Sequence, residues 1–175
     1  MTNNLIQTVK AILSTTPARW LSLVESIPAE LLTRTPAARE WSALDCLKHL
    51  LDTEGVFPAR MHALLAGQDI VAFDPGTQGT AREDWTPTQL AAEFARLRAA
   101  SLTKFEDVTN ADLTHTGRHS ELGPVTLEEL LHEWAAHDLM HTVQAERALM
   151  QPFIVGSGPW RSFFKDHDAA VDNEG

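Results

Sequence analysis

The 175-residue sequence predicts an all-α fold, with residues 1–175 forming one four-helix bundle with long connecting loops and a packed, irregular C-terminal tail. Three observations predict it. Apolar residues recur at spacings near three and four in four separate segments. The last three of those segments each open on a capping box. No run of useful length alternates with the period of two that a half-buried strand needs.

The first predicted helix covers about 3–26, with Leu5, Val9, Ile12, Leu13, Trp20, Leu23 and Val24 along its apolar stripe. Thr16-Pro17 interrupts it. Proline has no N–H to give and crowds the preceding turn, so a kink or restart is expected there. Residues 28–40 hold two more prolines and read as an irregular connection. The second helix covers about 42–65. Ser42-Ala-Leu-Asp45 is its capping box, with Asp in the usual Glu/Gln place. Gly55 and Pro58 lie inside it, which predicts a bend or two helices in sequence.

Residues 67–86 form the longest loop. The third helix covers about 87–107, with Thr86 as N-cap, Pro87 at the first helical position and Gln89 closing the box. Leu90, Phe94, Leu97, Ser101 and Phe105 form its inward stripe. Residues 110–125 read as a loop or small hairpin. The fourth helix covers about 126–150, opened by Thr126 with Glu129. In the tail, Phe153, Ile154, Trp160, Phe163 and Phe164 are too apolar for a free end and are expected to pack on the body.

Composition narrows the function. There are 24 acidic against 14 basic residues, a formal charge of -10. That charge excludes a general nucleic-acid binder, which needs a basic face to displace counterions. One cysteine, Cys46, excludes a disulfide framework and a multi-cysteine zinc finger. No stretch is apolar enough to cross a membrane. The start has no basic segment followed by an apolar one, so no signal peptide is expected and the default location is cytoplasmic.

Eight histidines stand against no tyrosine. His137 and His141 are four apart, so on a helix they lie on one face. With His137 at zero, Leu130 falls at about 20° and Trp134 at about 60°, inside the apolar stripe. Two imidazoles in that position can chelate one metal ion. The alternative is two core histidines, each bonded to a carbonyl or carboxylate. His132-Glu133 imitates a zincin start, but that motif needs His-Glu-x-x-His and the spacing here is wrong. His132 is expected to face solvent.

His49, in the middle of the second helix, is the candidate third ligand, on a face shared with Cys46, Thr53, Val56 and Phe57. Three histidines from two helices would leave metal positions open, as catalytic sites do. His62, His115, His119 and His167 read as surface or loop histidines.

Three stretches together resemble one family: Glu40-Trp41-Ser42 leading into Cys46-Leu-Lys-His49-Leu-Leu-Asp52-Thr-Glu54; Gly123-Pro-Val-Thr126-Leu-Glu-Glu-Leu-Leu-His132; and His137-Asp138-Leu-Met-His141-Thr-Val-Gln144. The sequence resembles the DinB/YfiT-like superfamily of metal-dependent four-helix bundles over most of its length. The resemblance implies a divalent metal, zinc or nickel, held by His49, His137 and His141. It implies a homodimer and a small-molecule substrate. It also implies transfer of a low-molecular-weight thiol of the bacillithiol or mycothiol type, or hydrolysis.

Both reactions need a proton acceptor or orienting group near the metal. Gln144, Asp52 and Asp138 are the candidates, with Glu54 beside them; Asp52 is suited to holding the free N–H of a ligand imidazole. Cys46 reads as a buried, inert thiol with a ligand or nucleophile role as the alternative. Arg60 and Arg161 are candidates for an anionic substrate group. A third class is a non-enzymatic bundle that binds a metal or small ligand, or serves as a dimeric scaffold.

Overall fold

The computed structural model describes residues 4–80 and 82–170. The bundle is built from α1 (Leu5–Ser26), α3 (Ala43–Thr53) with α4 (Val56–Leu65) continuing it, α6 (Pro87–Lys104) and α7 (Leu127–Gly156). Single-turn helices α2 (Ala29–Leu32) and α5 (Pro75–Gln78) punctuate the long connections. The expected start at residue 3 and the end of the tail lie outside the described residues. No helix among the described residues is long and apolar enough to cross a membrane.

The capping boxes at Ser42, Thr86 and Thr126 all form, each with reciprocal side-chain and backbone bonds. The second predicted helix divides at Glu54-Gly55, as Gly55 and Pro58 lead one to expect. The third ends three residues early, at Lys104. The fourth runs six residues past its expected end, through Pro152.

The first helix corrects an expectation. It does not restart at Pro17 but runs unbroken through it. Pro17 cannot donate to the carbonyl of Leu13, and Arg98 supplies the missing donor: its Nη1 gives a 3.0 Å bond to Leu13 O. Arg98 is fully buried and lies between the two halves of the core. Its guanidinium stands over the rings of both Phe94 and Trp134. Phe94 belongs to a cluster with Trp20, Leu47, Leu50 and Ala145. Trp134 belongs to one with Leu13, Phe57, Met61 and Phe105.

Before α7 the chain forms a small hairpin, one of the two forms expected there. β1 (Thr116–His119) pairs antiparallel with β2 (Gly123–Thr126), Thr116 opposite Thr126 and His119 opposite Gly123. Ile70 makes a parallel bridge to His119, so the loop after α4 is tied to the hairpin. Gly117 is required at this seam: a Cβ there would run into the carbonyl oxygen of Gln68.

The tail is only partly as expected. Ile154 and Ala169 are buried, and Gln151 clamps the returning chain by giving a bond to His167 O and accepting one from Ala169 N. Phe153, Trp160 and Phe163 are instead 68%, 63% and 79% exposed. The return of the chain is held by Gln151 and by the Arg161–Asp168 pair together with buried Ile154 and Ala169.

Candidate metal centre

α3 and α7 lie against each other and bring His49, His137 and His141 together. One ring nitrogen of each lies within 4.8 Å of those of the other two. His49 Nε2 and His137 Nε2 are 3.0 Å apart. Two ligands at that separation subtend an angle of about 90° at an ion ~2.1 Å from each. His141 Nδ1 donates to Gln144 Oε1 at 2.9 Å, because an amide oxygen can only accept. The Nε2 of His141 is therefore the one with a free lone pair.

The chemistry of this donor set fits a metal ion. Burial and the neighbouring His141 lower the pKa of His49 to about 4. Burial and the other two rings lower that of His137 to about 3. Burial also lowers that of His141, partly offset by Gln144 and Asp138. Neutral imidazole is the ligating form. The Nδ1 atoms of His49 and His137 are buried with no partner among the described residues. Trp41 stacks on His141 and tilts against His49, and Phe57 meets His137 edge-on, so the rings are held by an aromatic wall.

The orienting candidates separate. Gln144 takes that role, on His141. Asp52 is bonded to Arg82 rather than to an imidazole, and acts on His49 only through its charge, which raises the pKa. Asp138 is not solvated: its two oxygens take Nη1 and Nη2 of Arg98 at 2.6 and 3.0 Å. Glu54 is equally buried and takes Arg98 Nε at 2.8 Å. Burial raises the Glu54 carboxyl, and Arg98 pulls it back. These two acids are structural partners of Arg98.

The remaining candidates fall away from the cluster. Cys46 is fully buried, and burial with the Asp45 charge pushes its thiol up to about 12. Arg161 pairs with Asp168 in the tail. His62, His132 and His167 are exposed. His115 bonds Asp112 O. His119, read as a surface loop histidine, is buried, and its Nδ1 accepts from the backbone N–H of Glu121 and Leu122. It closes the hairpin turn.

A cleft of about 120 Å³ opens beside the cluster. His49, His137, Thr53, Phe57, Arg60 and Glu133 are among the residues that line it. Glu133 and Phe73 were missed in the sequence. Glu133 lies one turn before His137, and that spacing was the available signal. Phe73 comes from the long loop and left no signal.

The fold and the cluster define a class: a helical bundle with three histidines converging between two of its helices. The chain belongs to the DinB superfamily, whose sequence model matches residues 12–145. That span includes all three histidines and Gln144. Among solved structures, YfiT from Bacillus subtilis is similar at 17% identity and a TM-score of 0.72, over 85% of this chain and 87% of that one. YfiT is described as a probable metal-dependent hydrolase with an unusual four-helix bundle topology. No curated protein matches the chain.

Proposed function

We propose that this protein is a divalent-metal-dependent enzyme that hydrolyses a small molecule, with His49, His137 and His141 as the metal ligands. The convergence of three neutral imidazoles, two of which line a cleft, carries this reading. Zinc and nickel suit the donor set. His49, His137 and His141 would hold the cation, which would supply Lewis-acid polarisation and lower the pKa of a water or thiol bound there. Gln144 holds His141 in the tautomer that ligates. Glu133, a carboxylate that lines the cleft, takes up the proton released by the nucleophile; partial desolvation raises its carboxyl against the opposing charges of Arg60 and His119, which suits it to both taking and returning one. The description of YfiT as a hydrolase supports the same reaction class.

A second reading is transfer of a low-molecular-weight thiol to a small electrophile, at the same open side of the cluster. Cys46 is buried and its thiol is held protonated, so such a thiol comes from outside the chain. The reading also includes a homodimer, supported by Leu139, Met140 and Val143, which form an exposed apolar face on α7.

The test is a panel of esters, amides and phosphoesters offered to zinc- and nickel-loaded protein, with and without added bacillithiol or mycothiol. Metal-dependent release of acid without thiol supports hydrolysis, and consumption of thiol with its adduct supports transfer. Bound metal with no turnover of any member would contradict both and favour a non-enzymatic metal-binding bundle.

A further inference from the structure

Arg60 differs from the other shielded arginines of this chain. Five arginines are buried or half-buried: Arg60, Arg82, Arg98, Arg147 and Arg161. Four of them hold a carboxylate: Arg82 holds Asp52, Arg98 holds Asp138, Arg147 holds Glu40 and Arg161 holds Asp168. Arg60 holds none among the described residues, in a chain with a surplus of ten negative charges. Its Nη2 donates to Val71 O at 3.0 Å. Its Nε is buried with no partner. A half-buried guanidinium with no carboxylate partner is a ready site for a planar anion, which can accept parallel bonds from its accessible nitrogens.

Arg60 also stands where three spaces meet. It lines the cleft of about 120 Å³ that reaches His49 and His137. It lines a second space of about 270 Å³, walled by Val56, Ala59, Ala63, Ile70 and Val71. A third, of about 190 Å³, lies toward His119. At ~30 Å³ per water, the first cleft holds roughly four waters, or the reacting end of a small molecule. Phe73 and Val56 line both the first and the second space, so the path from the histidines to the guanidinium is flanked by apolar groups.

We infer that Arg60 binds the carboxylate of a small organic acid with a short apolar body, whose reacting group lies at the histidine cluster. This rests on the reading of that cluster as the catalytic centre. Arg60 sets the orientation. It lines both the cleft and the apolar space beside Val71, so an acid end held by its guanidinium leaves the other end to point at His49 and His137. Glu133 shares the cleft, and the Arg60 charge acts on its carboxyl as well.

The test uses hexanoate and hexanamide, two probes of one shape that differ in charge. Each is titrated by NMR into wild type, Arg60→Gln and Arg60→Lys, first with the protein metal-free and then with it zinc-loaded. Metal-free wild type is expected to prefer hexanoate over hexanamide by roughly tenfold or more, the size of a charge-assisted bidentate pair. Arg60→Gln is expected to abolish the preference and Arg60→Lys to keep part of it. The imidazole signals of His49 and His137 are expected to shift with hexanoate, while those of exposed His62 and His132 stay.

A purely structural Arg60, pinning the loop through Val71, would weaken both probes equally in Arg60→Gln and leave the ratio intact. That result would overturn the inference, as would equal binding of the two probes, or no binding of hexanoate, by wild type. The metal-free arm separates the two claims: an Arg60-dependent preference persists there even if the histidines bind no metal, and metal can bind without any preference for the acid.

Discussion

His141 and Gln144 act as one unit: the ring Nδ1–H donates a hydrogen bond to the amide Oε1 at 2.9 Å, one turn further along α7. The bond fixes the ring orientation and leaves Nε2 as the nitrogen with a free lone pair. Removing such a partner costs roughly 10–100-fold in metal affinity. Gln144→Ala is expected to weaken zinc binding by about that factor in competition with a chromophoric chelator. Gln144→Glu, which accepts the same bond, is expected to keep affinity at or above wild type.

Arg98 holds four helices by one side chain. It bonds Leu13 O on α1, Glu54 just past α3 and Asp138 on α7, from its own place on α6. Burial works against its charge, and the bonds to Asp138 and Glu54 more than offset that. Arg98→Met leaves two buried carboxylates and the Leu13 carbonyl without their donor. A loss of about 3–5 kcal/mol is expected in urea unfolding. Adding Glu54→Leu and Asp138→Leu removes the orphaned charges, so the triple variant is expected to recover part of the loss.

The pH dependence of the metal-free protein follows from the imidazoles. In the unfolded chain His49 and His137 take up protons near pH ~6.5. In the fold they resist until about 4 and about 3. Between those limits the unfolded state binds more protons, so stability falls as pH falls. The contribution is full above about pH 6.5 and fades toward about pH 3. Urea midpoints of metal-free wild type are expected to drop through this window, and those of the His49→Ala, His137→Ala double variant to drop less.

Cys46 is expected to be inert. Its thiol is buried and held protonated, so iodoacetamide should label it only in denaturant. Cys46→Ala is expected to keep metal content and turnover. Labelling of the native protein, matched by loss of turnover, would show a working thiol instead.

The helices, their caps and the His137–His141 pair were legible in the sequence because each is a local pattern; His49, 88 residues from His137, joined them through its mid-helix position and the family resemblance. Ser42, Thr86 and Thr126 announce helix starts within four residues, and the spacing of His137 and His141 places both on one face. What was not legible depends on contacts distant in sequence. Nothing near Pro17 signals that Arg98 would satisfy the carbonyl it frees. Asp138 beside His137 looks like a partner for the imidazoles, yet it turns to Arg98 forty residues away. The bonds by which Gln151 holds the returning chain at His167 and Ala169 are likewise announced by no apolar pattern.

The most direct test of the central claim is the metal content of untagged protein by elemental mass spectrometry. Wild type is run beside His49→Ala, His137→Ala and His141→Ala. The expected result is about one zinc or nickel ion per chain in wild type, lost in each variant that still folds by circular dichroism. Wild type without metal after reconstitution with both ions, or a variant that retains it fully, would contradict the three-histidine centre.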